Sequence, residues 1–232
     1  MKKIIIASVL AFSFLSINAQ DNLTIKSTMK LEGMPEGYEG MSESDMVVFI
    51  KGDKSKTEVS SMMGTQTFVN DGKKTTILID QMGNKMGYVI TKEEQELEEK
   101  NEPKNTEKPT IEYVDEKLTV AGYECKKAMI TNVSGKEKVK TVTTVWYTDK
   151  IKSQANKKQS KNMPDFGELK GYPMKYEGPF NIMGMELKRV VTATEVSESN
   201  IDEATFVPST EGFNLKTYKE LKEESKKMQG GQ

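Results

Sequence analysis

The sequence predicts a mainly β protein built on a single curved antiparallel sheet, a half-open β-barrel of about ten strands with two short helices. Three observations lead there. Leu23, Ile25, Ser27, Met29 and Leu31 alternate with Thr24, Lys26, Thr28 and Lys30, and this period of two recurs along the chain. Tight-turn signals separate the alternating runs, the clearest being Asn70-Asp71-Gly72, since Asp-Gly accepts the positive φ angles of a hairpin. Finally, hydrophobic residues make up only 35% of the 232 residues, which suits a sheet with one wet face. A sheet this wide rarely stays flat, so it is expected to curl.

Each element follows from its local pattern. Residues 23–31 form the first strand, followed by a Gly-, Glu- and Ser-rich loop over 32–45. The apolar run 46–51 reads as a strand, Gly52-Asp53-Lys54 as a turn and 55–62 as a more polar strand. Two strands, 75–82 and 86–91, flank Gly83-Asn84-Lys85. Thr91-Lys92-Glu93-Glu94 is a capping box that opens a short, solvated helix with Leu97 as its apolar anchor. Residues 101–109, with Pro103 and Pro109, read as a loop, so a polar insertion spans 92–110. Strands resume at 111–120, 123–132 and 139–148, with a turn at Ser134-Gly135-Lys136 and a polar loop over 152–165. Tyr172, Met174 and Tyr176 alternate, and Pro173 predicts an edge or irregular position. A long strand covers 185–196. Thr217-Tyr218-Lys219-Glu220 is a second capping box, opening a helical tail over 216–232.

Residues 1–19 read as a secretory signal peptide. Lys2 and Lys3 supply the positive start, 4–17 the apolar stretch, and Ala19 the small residue before a cut that leaves Gln20 first. The stretch is short for a membrane span, and no Cys stands at the cut to carry a lipoprotein anchor. The expected location is therefore the periplasm or the medium, and the expected organisation is one domain over 20–232.

Composition excludes several chemistries. The chain has no His, one Cys (Cys125), and 34 Lys+Arg against 35 Asp+Glu, for a net charge of −1. No Ser-His-Asp triad, Cys-His pair or zinc ribbon can be built. A nucleic-acid partner is not expected without a basic excess. Arg189 is the only Arg, so bidentate phosphate or carboxylate recognition has little support.

The C-terminal half carries a series of motifs: Ala121-Gly122-Tyr123-Glu124-Cys125-Lys126-Lys127, Thr144-Val145-Trp146-Tyr147-Thr148-Asp149, Leu169-Lys170-Gly171-Tyr172-Pro173-Met174, and Thr192-Ala193-Thr194-Glu195-Val196 before Phe206-Val207-Pro208. Their order over residues 110–215 resembles a domain-of-unknown-function family of secreted bacterial proteins grouped with the LolA-like lipoprotein carriers. The resemblance implies a half-open antiparallel barrel with short helices near its mouth. It also implies an apolar concavity that holds acyl chains or lipidated partners. It transfers no catalytic residues, because the carriers are not enzymes.

The candidate ligand-lining residues are Met29, Phe49, Ile79, Trp146, Met174, Leu187 and Arg189. Methionine is flexible and polarizable, so it suits surfaces that fit varied apolar ligands, although it is equally a core filler. Arg189 alternates with Leu187 and Val191, where it can meet a headgroup, pair with a carboxylate or snorkel at the rim. Trp146, Tyr147, Tyr172, Tyr176 and Phe180 line a pocket or fill the core. Cys125 reads as a small buried residue, or as the site of an intermolecular disulfide. Glu93, Glu94, Glu96, Glu98 and Glu99 form a solvated helix face. No metal site and no cofactor is expected. Met183-Gly184-Met185 is a weak Cu(I) alternative.

The expected function is a binding protein for a hydrophobic ligand (a lipid, acyl chain or lipidated protein), monomeric, in peripheral contact with the envelope membrane, and not an enzyme. The alternative is an envelope structural or protein-interaction module without a small ligand.

Overall fold

The computed structural model describes residues 22–101, 108–134, 138–151, 164–182, 185–220 and 222–223. The expected signal peptide with its cut at Ala19 and Gln20, and most of the polar loop over 152–165, lie outside them.

The described residues form one curved, incompletely closed sheet of twelve strands. In chain order these are β1 (Asn22–Glu32), β2 (Glu43–Lys51), β3 (Lys54–Ser61), β4 (Gly64–Asn70), β5 (Lys74–Gln81), β6 (Asn84–Thr91), β7 (Thr110–Val120), β8 (Tyr123–Ser134), β9 (Val139–Thr148), β10 (Tyr172–Ile182), β11 (Met185–Ser197) and β12 (Asn214–Thr217). The helix α1 (Lys92–Asn101) links β6 to β7. Their spatial order is β12-β6-β5-β4-β3-β2-β1-β11-β10-β9-β8-β7. All pairs are antiparallel except β12 with β6, which is parallel. The strands beyond the expected ones are β4 and β12, short runs whose mixture of polar and apolar residues gives weak alternation.

β1 is central, between β2 and β11. On one side, β11 to β7 curl over until β7 meets β11. This curled half holds the main core. Leu23 and Ile25 of β1 join Val120, Cys125, Ile151, Met174 and Ala193 in one buried cluster. Ala128, Ile130, Val145, Tyr147, Tyr176 and Val191 join Phe166 and Leu169 in a second. Pro173 does not mark an edge, because β10 is an interior strand. It sits instead beside a register shift between Pro173 and Lys175, an irregular position where Met174 is the extra residue opposite β9.

On the other side of β1, strands β2 to β6 form a flatter wing. The segment after β11 crosses one face of this wing. Ile201 and Phe206 bury Val69 and pack on Phe49. The Lys51 ammonium donates to the Ile201 carbonyl at 2.7 Å, and Glu203 pairs with Lys51 and Lys54. The segment ends in β12, where Leu215 sits opposite Gly87 of β6. The absent side chain at Gly87 leaves room for the ends of Leu215 and Leu78, which would have to shift to admit a Cβ there.

Both capping boxes form. The Thr91 hydroxyl accepts from the Glu94 N–H at 3.2 Å, and the Glu94 carboxylate accepts from the Thr91 N–H at 2.8 Å. Thr217 and Glu220 repeat the arrangement at 3.3 and 2.7 Å, opening a helical turn at Tyr218.

Candidate functional site

Successive side chains of a strand point to opposite faces, so the registers of β2 to β6 sort the wing into rows. Met46, Val59, Gln66, Ile79 and Met86 stand side by side across the five strands. Val48, Thr57, Phe68, Ile77 and Tyr88 form the next row. Polar rows flank these two: Ile50, Ser55, Asn70, Thr75 and Ile90 on one side, and Ser44, Ser61, Gly64, Gln81 and Asn84 on the other. No charged residue occurs in any of the four rows.

The opposite face differs sharply. It carries Lys56 and Glu58, paired at 3.0 Å, and Lys85 and Asp80, paired at 3.7 Å. Alternation thus delivers all the wing's charge to one side. The C-terminal crossing segment covers part of that charged side, where Ile201 and Phe206 bury Val69 and Leu215 approaches Leu78 at Gly87.

The charge-free face is apolar and partly exposed on β3 to β6. Val59, Phe68, Ile77, Ile79, Met86, Tyr88 and Ile90 all keep part of their surface. Its β2 members are covered, with Val48 buried and Met46 and Ile50 packed against the core clusters, while the residues of β3 to β6 stay partly exposed. The helix α1 borders one end, where the Gln95 side-chain amide donates to the Thr75 hydroxyl at 2.7 Å. At the other end of the strands, Glu43, Ser44, Asp45, Ser60, Ser61 and Met62 line an open depression of about 310 Å³, in which Ser44 and Ser61 belong to the charge-free face and Glu43, Asp45 and Ser60 to the charged one.

The same face continues through β1 into the curled half, with a different outcome. Met46 lies opposite Ser27, and Met29 opposite Val191, so the two methionines bridge the halves. Beyond them the concavity is filled. The loop before β10 inserts Phe166 and Leu169, and the Phe166 ring meets Tyr176 edge-on at 5.2 Å. Tyr147 meets Tyr113 at 5.7 Å in the same manner. The curled half is therefore a packed core, and the uncovered apolar surface is on the wing.

Arg189 is the one charged side chain among the buried residues described. Its guanidinium lies 4.7 Å from the Phe180 ring centre and 5.8 Å from that of Tyr176. Burial lowers its pKa, and the nearby Tyr176 acts in the opposite direction. Burial also raises the phenol of Tyr172 far above its usual range.

The seven residues proposed from sequence do not share one surface. Ile79 lies on the charge-free wing face, and Met29 at its junction with the core. Leu187 and Arg189 are buried together on β11. Met174 is fully enclosed among Leu23, Ile25 and Ala193. Phe49 is on the opposite face of the wing, under Ile201 and Phe206, with the Lys56 ammonium 5.9 Å from its ring centre. Trp146 alternates with Val145 and Tyr147, and the Lys127 ammonium lies 5.5 Å from its ring centre. Val59, Phe68, Ile77, Tyr88 and Ile90 carry no individual signal in the sequence, and Met86 enters it only as one of many dispersed methionines. Their signal is the lack of charge at every second position from β2 to β6.

Cys125 is a free, buried thiol whose pKa is raised by burial. Among the described residues no group of three or more His, Cys, Asp or Glu is placed to hold a metal ion. No described helix is long and apolar enough to cross a membrane.

No family model matches the chain, and no curated protein matches it. Among solved structures, PNGF-II in one crystal form is 13% identical with a TM-score of 0.44, covering 88% of this chain and 33% of that one. A second crystal form of PNGF-II is 14% identical with a TM-score of 0.41, covering 84% of this chain and 30% of that one. The chain thus spans about a third of the length of PNGF-II. The Mycobacterium tuberculosis lipoprotein LppX is 11% identical with a TM-score of 0.39, covering 77% of this chain and 89% of that one.

Proposed function

We propose that the protein binds a hydrophobic ligand on the charge-free face of β2 to β6. One observation carries this reading: a partly exposed apolar face with no charge in four rows, beside a packed core. Burying apolar ligand surface there contributes about 25 cal/mol per Å². The absence of charge fits an acyl chain, which needs no partner for a polar group along its length. The ligand classes are a lipid, an acyl chain or the lipid of a lipidated protein. The polar rows suit a headgroup left in water at the edge of the face. The reading involves no catalytic step, so transfer runs passively down an affinity gradient.

The proposal includes the address. Residues 1–19 direct export and are removed before Gln20, and the remaining chain works as one domain in the periplasm or medium. The Lys2-Lys3 start, the apolar stretch and Ala19 support it.

The test is titration with a lipophilic dye whose emission rises in apolar surroundings. The expected result is a saturable signal that oleate competes away and that Ile79→Lys abolishes. A signal that never saturates, or that Ile79→Lys leaves unchanged, contradicts the reading.

A further inference from the structure

We propose that one end of the sheet docks on a lipid surface through methionines at its hairpin tips. The strand directions set the two ends apart. The connections β1–β2, β3–β4 and β5–β6 all fall at one end, as the pairs Lys30 with Glu43, Ser61 with Gly64 and Gln81 with Asn84 require. Every one of these connections carries methionine: Met34 and Met41 in the first, Met62 and Met63 in the second, Met82 in the third. At the other end of the wing, the turns are Gly52-Asp53 and Asp71-Gly72-Lys73, with no methionine.

The tips protrude. Met62 is 75% exposed and Met82 is 82% exposed, while Tyr38 on the β1–β2 connection is 53% exposed. Met82 takes a positive φ of 51°, a strained choice for a residue with a side chain, at a two-residue hairpin tip beside Gly83. An isolated exposed apolar residue is ordinary, but a row of them on neighbouring tips is a contact surface.

The charges nearby select the partner. Lys30 pairs with Glu43 at 3.3 Å, Lys85 with Asp80 at 3.7 Å and Lys188 with Glu177 at 3.1 Å. Glu36 adds negative charge to the β1–β2 connection. No net basic patch forms, so attraction to anionic headgroups is not the driving force, and apolar insertion into neutral lipid is. Separate protruding side chains suit a fluid surface that closes round each one, whereas a folded partner would need a pocket for each. Methionine, unbranched and polarizable, adapts to such a surface. The same end is where the row Ser44, Ser61, Gly64, Gln81 and Asn84 borders the apolar rows of the wing. A ligand leaving that face would move directly into the lipid. The docking itself stands on the tips alone and does not depend on ligand binding.

The experiment is co-sedimentation with vesicles of phosphatidylcholine and phosphatidylethanolamine. It uses protein isolated after export, its N-terminus identified by mass spectrometry. Wild type is compared with the double variant Met62→Asp and Met82→Asp, and with Leu97→Asp on α1 as a control, since Leu97 is exposed but lies away from the tips. Circular dichroism establishes that each variant is folded. The expected result is binding by wild type and Leu97→Asp that salt does not weaken, and at least about a tenfold drop for the double variant, from two lost insertions. Three results overturn the proposal: no binding by wild type, equal binding by the double variant, or binding that high salt abolishes. Vesicle-free self-association removed by the double variant would instead make the tips an interface between copies, and also overturns it. Vesicle binding that persists in Ile79→Lys while dye binding is lost separates this inference from the ligand-binding reading.

Discussion

Ile79 and Met86 stand directly opposite one another on β5 and β6, both half-exposed, on a face without a single charge. Placing a lysine at either position puts an ammonium in the middle of that face, where an apolar ligand would have to desolvate it. Ile79→Lys and Met86→Lys are each expected to weaken ligand binding by at least about tenfold, a loss of 1.4 kcal/mol. The neighbouring strands leave both side chains partly in water, so thermal melts should show only a small loss of stability. Dye titration and melting curves on the same samples separate the two effects.

Core positions should behave in the opposite way. Met174 is 1% exposed and Ile25 is 1% exposed, in the cluster that joins β1 to the curled half. Met174→Ala and Ile25→Ala are each expected to cost about 2–5 kcal/mol through lost burial and an unfilled cavity. Urea unfolding followed by Trp146 fluorescence measures this.

Gly64 opens β4 with a φ of 136°, and a Cβ there would run into the main chain of Asp80 and Gln81 on β5. Backbone cannot swing aside as a side-chain end can. Gly64→Ala should therefore destabilise the wing by about 1–3 kcal/mol, the range for overpacking. Faster amide exchange in β4 and β5, with β8 and β9 unchanged, is the expected signature.

Glu203 ties the crossing segment to the wing, at 2.6 Å from Lys54 and 2.9 Å from Lys51. The hydrogen bond from Lys54, then that from Lys51, holds its carboxyl below the usual value. A depressed carboxylate adds stability above its unfolded pKa and loses it as pH falls through the folded one. Wild type should therefore melt slightly above Glu203→Gln at neutral pH. The difference should close once the solution is acid enough to protonate Glu203. The pair is exposed, so the gap is small and should shrink in high salt.

Cys125 is fully buried, and burial disfavours its thiolate. A thiol reagent such as DTNB should label it only as the fold opens, at a rate that rises with urea in step with unfolding. Rapid labelling of the native protein would contradict the packing described.

The sheet was legible because its alternation is strong where one face is dry, as in Leu23-Ile25 and Val139–Thr148. Both capping boxes were legible because Thr91–Glu94 and Thr217–Glu220 are contained within four residues each. β4 was harder to read. Thr65-Gln66-Thr67 is polar, and Phe68 and Val69 are adjacent apolar residues that serve opposite faces, Phe68 the open one and Val69 the covered one. The same difficulty hides the candidate site. Ile77, Leu78 and Ile79 are consecutive, and only the crossing of Ile201 to Leu215, far away in sequence, decides which face of the wing is covered. Phe49 and Val48 illustrate the consequence: one residue of offset moves a side chain from the charge-free face, where Val48 is buried beside Ile25 of β1, to the far side under Ile201 and Phe206. No local pattern reports that Phe166 and Leu169 fill the curled half, because they come from a loop.

Photocrosslinking with a diazirine-bearing fatty acid, the adducts mapped by mass spectrometry, tests ligand binding on this face most directly. Adducts are expected on the charge-free face of β2 to β6, at residues such as Val59, Phe68, Ile79 and Met86, and should be lost when oleate is in excess. Adducts confined to the charged face or to the curled core around Tyr176, or no saturable adduct at all, would contradict it.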